Sequence, residues 1–332
     1  AWNMTKGKGS VRIGIIDTGV SNHVDLSDNL VEGRDTFNDN SITTDDTASH
    51  GTHVAGIIGA VGNNDLGVVG VDWDVKLVPL QAVDDSNRFY ADSVVEAITW
   101  ASSKWGTSEQ IDIINYSVSG LGTSVAVREA VRNYQGLFVW SAGNQNQDID
   151  SYVEKNGTFD LDNLISVGSI GSANERSSFS NYSTSNINVN IYAPGENIIS
   201  TIPNNSYTVM SGTSMAAPYV TGVAALALSI NPRLSGSELK SLILNNADSI
   251  TLTIPVGETG TVLQTTKKLN AFKVISSVFF NIDDSGSMII GTKHKLGKEL
   301  IIPDSINGNI IDKIGSIAFS DSIEIEKIVL PN

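Results

Sequence analysis

The run VRIGIID, residues 11–17, limits what this chain can fold into more than any other stretch of it. Its β-branched, apolar residues read as a short buried strand that stops at a carboxylate, Asp17, followed by the turn residues Thr18 and Gly19. A carboxylate at the C-terminal end of a parallel strand lies on the edge where open α/β sheets place their sites. LFVWSAGNQN has the same form, a strand and then a Gly-Asn turn. Two other segments have helical period. GTHVAGIIGA, after His50, carries small residues and an apolar stripe, with Ser49 and Asp46 as candidate caps; MAAPYVTGVAALALSI, after Ser214, is an Ala-rich run. His50 and Ser214 therefore each open a helix. Ser214 would feel the positive end of a helix dipole, and Gly212 permits a sharp backbone approach just before it.

At 332 residues the chain exceeds the size at which one core keeps growing, which predicts one large domain plus a small appendage. Only 17 % of residues are charged and 30 are Gly, a composition that suits a compact α/β protein and argues against disorder. The net charge of -15 disfavours nucleic acid as a partner. With no cysteine, neither disulfides nor thiolate metal sites contribute. No hydrophobic run reaches the about 18 residues of a membrane span. No signal segment or propeptide is recognisable, so a mature form or a fragment is expected.

A serine hydroxyl needs an imidazole to take its proton and a buried carboxylate to fix that imidazole. Asp17, His50 and Ser214 supply these three groups. Taken singly, Asp-Thr-Gly is a common strand-end turn, His-Gly-Thr-His could be a capped helix start or a metal pair, and Gly-Thr-Ser is frequent in loops. Taken together they point to a nucleophilic hydrolase. His53 follows His50 by three positions, but no Glu or third ligand accompanies the two, so it reads as a packed, hydrogen-bonded histidine. His23 and His294 read as local structural or solvated residues.

IIDTGV, SHGTHVAG and SGTSMAAP resemble the three catalytic motifs of the subtilases, the subtilisin-like serine endopeptidases, in that family's order Asp, His, Ser. The likeness runs from about Val11 to about Val278. It implies an α/β, three-layer fold with a mostly parallel central sheet. It also implies peptide-bond hydrolysis through an acyl-enzyme on Ser214, with His50 as general base and acid and Asp17 orienting it. Asn144, in SAGN, would be the oxyanion donor beside the Ser214 N–H. IDIINYSVSG resembles the strand that pairs with substrate backbone, which assigns substrate binding to Ser117, Val118 and Ser119 facing Ala142 and Gly143. Relatives mostly have Gly where Ser119 stands, and the opposite wall, residues 85–90, carries Arg88 and Phe89, so sub-site preference stays open. Met215 also matches the family and implies an exposed, peroxide-sensitive thioether.

VGNNDLGVVGV, residues 61–71, is similar to the family's calcium loop, with Asn64 and Asp25 as ligands by position. No EF-hand loop is present and no organic cofactor is implied. From Phe279 the chain changes to short apolar triplets separated by Gly and Asn turns. IIDKIGSIAFSD is similar to the bacterial surface-type leucine-rich repeat, which divides the chain into a peptidase domain, 1–278, and the start of a repeat region, 279–332, expected to be a cut-off array; the alternative is an irregular β-hairpin extension.

Two functional classes follow. One is a secreted or cell-surface endopeptidase that acts on proteins or peptides, with its tail meeting a surface or protein partner. The other is a binding protein whose peptidase domain no longer turns over. A non-proteolytic hydrolase would carry Gly-x-Ser-x-Gly and the order Ser, Asp, His, which this chain lacks.

Overall fold

The computed structural model describes residues 1–38, 45–84, 86–118, 124–151, 160–257, 260–292, 299–307, 309–316, 318–319, 325 and 327–330. Its centre is a nine-stranded sheet built from β1 (Gly7–Asp17), β2 (Arg34–Asp35), β3 (Asp74–Gln81), β4 (Ile113–Tyr116), β5 (Leu137–Ser141), β6 (Leu164–Ile170), β7 (Ile191–Pro194), β10 (Asp248–Val256) and β11 (Gly260–Lys268). The order is β10-β11-β7-β6-β5-β4-β1-β3-β2, parallel throughout except for the β10–β11 hairpin at one edge. A separate hairpin pairs β8 (Ile198–Ile202) with β9 (Ser206–Met210).

β1 lies inside the sheet, with Ile13 opposite Leu77 of β3 and Ile113 of β4. Its alternating side chains feed two cores. Ile13 and Ile15 join Val54, Val220 and Val223 on one face; Ile16 joins Val78, Val94, Ile98 and Phe138 on the other. Each such buried aliphatic side chain contributes about 2 kcal/mol of transfer free energy. Helices cover both faces and complete the three layers: α1 (His50–Gly59), α4 (Thr213–Ile230), α5 (Gly236–Asn245) and α6 (Ala271–Phe279) on the first, α2 (Ala91–Ser103) and α3 (Val125–Asn133) on the second. The strand predicted to start at Val11 begins earlier, at Gly7, which pairs with Asp74 across an irregular register.

α4 corrects one expectation from sequence. Its 18 residues have the length and composition of a membrane span, yet 94 % of that window is buried inside the protein. It is the central core helix, touching β1, β4, β5, β6 and β7.

After α6 come β12 (Phe280–Ile282), β13 (Met288–Thr292), β14 (Glu299–Ile301), β15 (Ser305–Ile306), β16 (Asn309–Ile310), β17 (Lys313–Ile314) and β18 (Lys327–Val329). β13 pairs with β17 and β14 with β18, both parallel. Ile289, Leu300, Ile302, Ile306 and Ile311 belong to the same apolar cluster as α4 and α6. The Asn307 N–H donates to Asn246 Oδ1 at 3.0 Å, tying this tail to the end of α5.

Candidate active site

Asp17 ends β1 wholly buried, and the Nδ1 of His50, first residue of α1, lies 2.7 Å from its Oδ1. The same oxygen accepts the Thr18 N–H at 2.8 Å, whereas Oδ2 is buried without a partner among the described residues. A carboxylate can only accept here, so His50 carries its proton on Nδ1 and turns Nε2 away as the free base. Burial of the ring favours the neutral form. The charge and hydrogen bond of Asp17, joined by the charge of Asp46, outweigh that effect and raise the His50 pKa above the ordinary 6.5.

Ser49, in a left-handed conformation at φ 65°, makes no capping bond; the carboxylate that closes the start of α1 is Asp46, which accepts the Thr52 N–H at 2.8 Å.

Ser214 stands one residue inside α4, which begins at Thr213. Its hydroxyl donates to the Ser117 carbonyl at 2.8 Å, and the Ser117 hydroxyl donates to the Ser214 carbonyl at 3.0 Å. The second bond has a cause in the helix. Pro218 has no N–H, so the carbonyl four residues before it, that of Ser214, lacks its helical donor and takes the Ser117 hydroxyl instead. Among the described residues the Ser214 hydroxyl makes this bond to the Ser117 carbonyl and none to His50.

Asn144 is exposed, and its Oδ1 accepts both the Thr213 N–H and the Thr213 hydroxyl at 2.9 Å. These bonds fix the amide with Nδ2 outward. A Cβ added to Gly212 would sit 3.4 Å from that Nδ2 and 3.6 Å from the Ser214 nitrogen. The missing side chain thus leaves a notch in front of two N–H groups, the arrangement that receives a developing oxyanion. Thr213 was not singled out from sequence; its place directly before Ser214 was the available signal.

Ser117 and Val118 follow β4, and Ala142 and Gly143 follow the neighbouring β5, where Tyr116 is in register with Trp140. Trp140 Nε1 donates to the Val118 carbonyl at 2.8 Å, so that carbonyl is already engaged. Ser119 lies outside the described residues, as do Asp85 and His294. Phe89 packs edge-on to Tyr116 with ring centroids 6.2 Å apart, and Arg88 pairs with Asp84 at 2.8 Å. Met215 is only 2 % exposed, so the thioether is buried rather than open to solvent.

His53 is fully buried, with Nε2 3.1 Å from the Thr208 carbonyl. His23 reaches the Ser206 carbonyl in the same way at 3.1 Å, and the two rings pin β9 from one side.

Asp25 and Asn64 come together, but as a hydrogen-bonded pair. Asp25 Oδ1 accepts from Asn64 Nδ2 at 2.8 Å, and Oδ2 accepts from the Val68 N–H at 2.9 Å and the Tyr207 hydroxyl at 3.2 Å. Asn64 Oδ1 accepts the Leu66 N–H at 3.1 Å, which sets the amide with its nitrogen toward Asp25. Calcium requires bare oxygens pointing at a common centre. Here donors meet both oxygens of Asp25, and the residues as placed do not fit the ion. Among the described residues no group of three His, Cys, Asp or Glu side chains could hold a metal.

The sequence profile of the subtilase family, peptidase S8, matches residues 7–274. The chain belongs to the subtilase family. It is 36 % identical to subtilisin DY of Bacillus licheniformis over 249 residues, 73 % of this chain and 85 % of that one. Thermitase of Thermoactinomyces vulgaris is 34 % identical over 279 residues, covering 83 % and 91 % of the two chains. Among solved structures, a cold-adapted subtilisin-like serine proteinase superposes with a TM-score of 0.66 at 30 % identity, covering 82 % of this chain and 92 % of the other. The fold is the subtilisin-like α/β fold, and this subtilase is a serine endopeptidase, a hydrolase of peptide bonds in proteins and peptides.

Proposed function

We propose that hydrolysis proceeds through a covalent ester on Ser214. The hydroxyl, released from the Ser117 carbonyl, attacks the scissile carbonyl carbon as its proton passes to His50 Nε2, and Asp17 holds the imidazolium through Nδ1. The carbonyl oxygen takes negative charge in the notch at Gly212, between the Asn144 amide and the Ser214 N–H. His50 then returns the proton to the leaving amine, the C–N bond breaks, and water repeats the sequence to free Ser214. The observation that carries this reading is the 2.7 Å bond between His50 and a buried carboxylate, which sets both the tautomer and the direction of the base.

Ser117, Val118, Ala142 and Gly143 form the proposed wall of the pocket for the residue before the scissile bond; Ser119, assigned to it from sequence, lies outside the described residues. The parallel pairings of β13 with β17 and β14 with β18 support reading residues 279–332 as a repeat-like segment stacked on a peptidase domain, 1–278. An extracellular or cell-surface site of action belongs to the same proposal.

Labelling with a fluorophosphonate probe tests the central claim. Incorporation that vanishes in Ser214→Ala is the expected result; a folded protein that takes no label and cleaves no peptide would refute it and leave a binding role.

A further inference from the structure

Two residues behind the His50–Asp17 pair have no part in the chemistry above. Thr18 Oγ1 donates to Asp46 Oδ1 at 2.7 Å and accepts the Gly51 N–H at 3.0 Å. The same hydroxyl lies 3.3 Å from Asp17 Oδ1; its one proton goes to the nearer carboxylate, Asp46. Asp46 is 2 % exposed, and three further donors converge on it: the Ala48 N–H at 3.2 Å, the Thr52 N–H at 2.8 Å and the Thr52 hydroxyl at 2.6 Å. Thr52 Oγ1 in turn accepts the Ser21 N–H at 3.0 Å, so the cluster joins the end of β1, the segment after it and the first turn of α1.

A cap alone does not call for a full charge. Asn serves nearly as well as Asp in hydrogen-bonding the free N–H groups of a helix start. What a carboxylate adds is a negative charge close to the first residue of the helix, and that residue is His50. Asp17 faces the His50 ring from β1 and Asp46 from the segment before α1, while His53, on the same helix, is the other titratable group coupled to it.

We propose that Asp46 is a positioning residue for the peptidase reaction: through Thr18 and Thr52 it holds the start of α1 so that His50 keeps its bond to Asp17, and its charge favours the imidazolium formed when Ser214 gives up its proton. This rests on the endopeptidase mechanism above and adds to it a second carboxylate that never touches substrate.

The test compares the parent with Asp46→Asn, Thr18→Val and Thr18→Ser. kcat and KM are measured on a peptide anilide from pH 5 to pH 10, and the His50 ring is titrated by NMR with Ser214→Ala added to each variant. Asp46→Asn is expected to lower kcat about 10-fold, the low end of what a lost hydrogen bond to a charged group gives, with KM changed by less than about two-fold. It also moves both the acid limb of kcat/KM and the His50 titration to lower pH by about half a unit or more. Thr18→Val lowers kcat, and Thr18→Ser, which keeps the hydroxyl, restores it. A His50 titration unmoved by Asp46→Asn would make Asp46 a structural cap and overturn the proposal. Should Asp46→Asn fail to fold, equal kcat values for Thr18→Val and Thr18→Ser would overturn it as well. A parent that cleaves no peptide while its His50 titration still falls in Asp46→Asn would refute the peptidase mechanism and leave the electrostatic link standing.

Discussion

Asp72 is a carboxylate buried where the start of β1 crosses the start of β3, and it makes the stability of the fold depend on pH. Its Oδ1 accepts the Asp74 N–H at 3.1 Å, its Oδ2 is buried with no partner among the described residues, and the backbone of Gly7 is so close that a Cβ there would fall 1.9 Å from Oδ1. Burial raises the pKa to about 8 against the ordinary 3.8; the bond from Asp74 opposes the rise and the Asp74 charge adds to it. The folded state therefore holds one proton more than the unfolded chain between these two values, and stability falls as pH rises from about 4 to about 8. At about 1.4 kcal/mol per pH unit the total is at most about 6 kcal/mol, since water entry and relaxation around the charged form reduce it. Above pH 8 the contribution is flat. Asp72→Asn keeps the shape and stays neutral, so it abolishes the slope. With Ser214→Ala in both proteins to prevent self-cleavage, urea unfolding at pH 5, 6, 7, 8 and 9 gives the two profiles. They are expected to be nearest at pH 5 and to diverge upward, with the Asn variant the more stable at pH 8 by several kcal/mol. Parallel profiles would show that Asp72 is ionised in the folded state, and the burial argument would fail.

The remaining predictions concern the site and its supports. Gly212→Ala adds a methyl group at ordinary contact distance from Asn144 Nδ2 and the Ser214 nitrogen, at 3.4 and 3.6 Å, so it should leave unfolding within about 1 kcal/mol of the parent. It should lower kcat by about 10²-fold or more, the scale on which removal of one oxyanion donor acts in subtilisin; unchanged kcat would remove the oxyanion from this notch. Ser117→Ala strips the donor from the Ser214 carbonyl that Pro218 leaves free and should cost about 1–3 kcal/mol in thermal or urea unfolding. Because the catalytic base must be neutral and its pKa is raised, the acid limb of kcat/KM should lie above pH 6.5, activity falling as pH drops through it. Asp25→Asn should destabilise the protein equally in calcium and in chelator, because its partners are hydrogen-bond donors; a larger loss in calcium would place an ion there.

What the sequence disclosed and what it hid divide along a physical line. Strand ends and helix starts are local: the β-branched run into Asp17 and the Ala-rich run after Ser214 announce their own structure, and the motifs on them carry the family likeness. The order of the triad residues and the place of Asn144 were legible for that reason. Hydrogen-bond partners distant in the chain were not. Nothing in IDIINYSVSG says that the Ser117 hydroxyl will serve the Ser214 carbonyl 97 residues away; the cue is Pro218, and it acts only once α4 lies beside β4. The expected calcium ligands show the same limit. Asp25 and Asn64 are oxygen-bearing residues that do meet, but whether an Asn offers oxygen or nitrogen is decided by a third group, here the Leu66 N–H, and a distant Tyr207 fills the remaining lone pair. Asp46 shows the limit from the other side: its cap role was visible four residues ahead of His50, yet its second face, toward Thr18 and the β1 carboxylate, exists only because strand and helix end at one point. A residue that joins two elements is read correctly from sequence for the element it sits on and missed for the one it reaches.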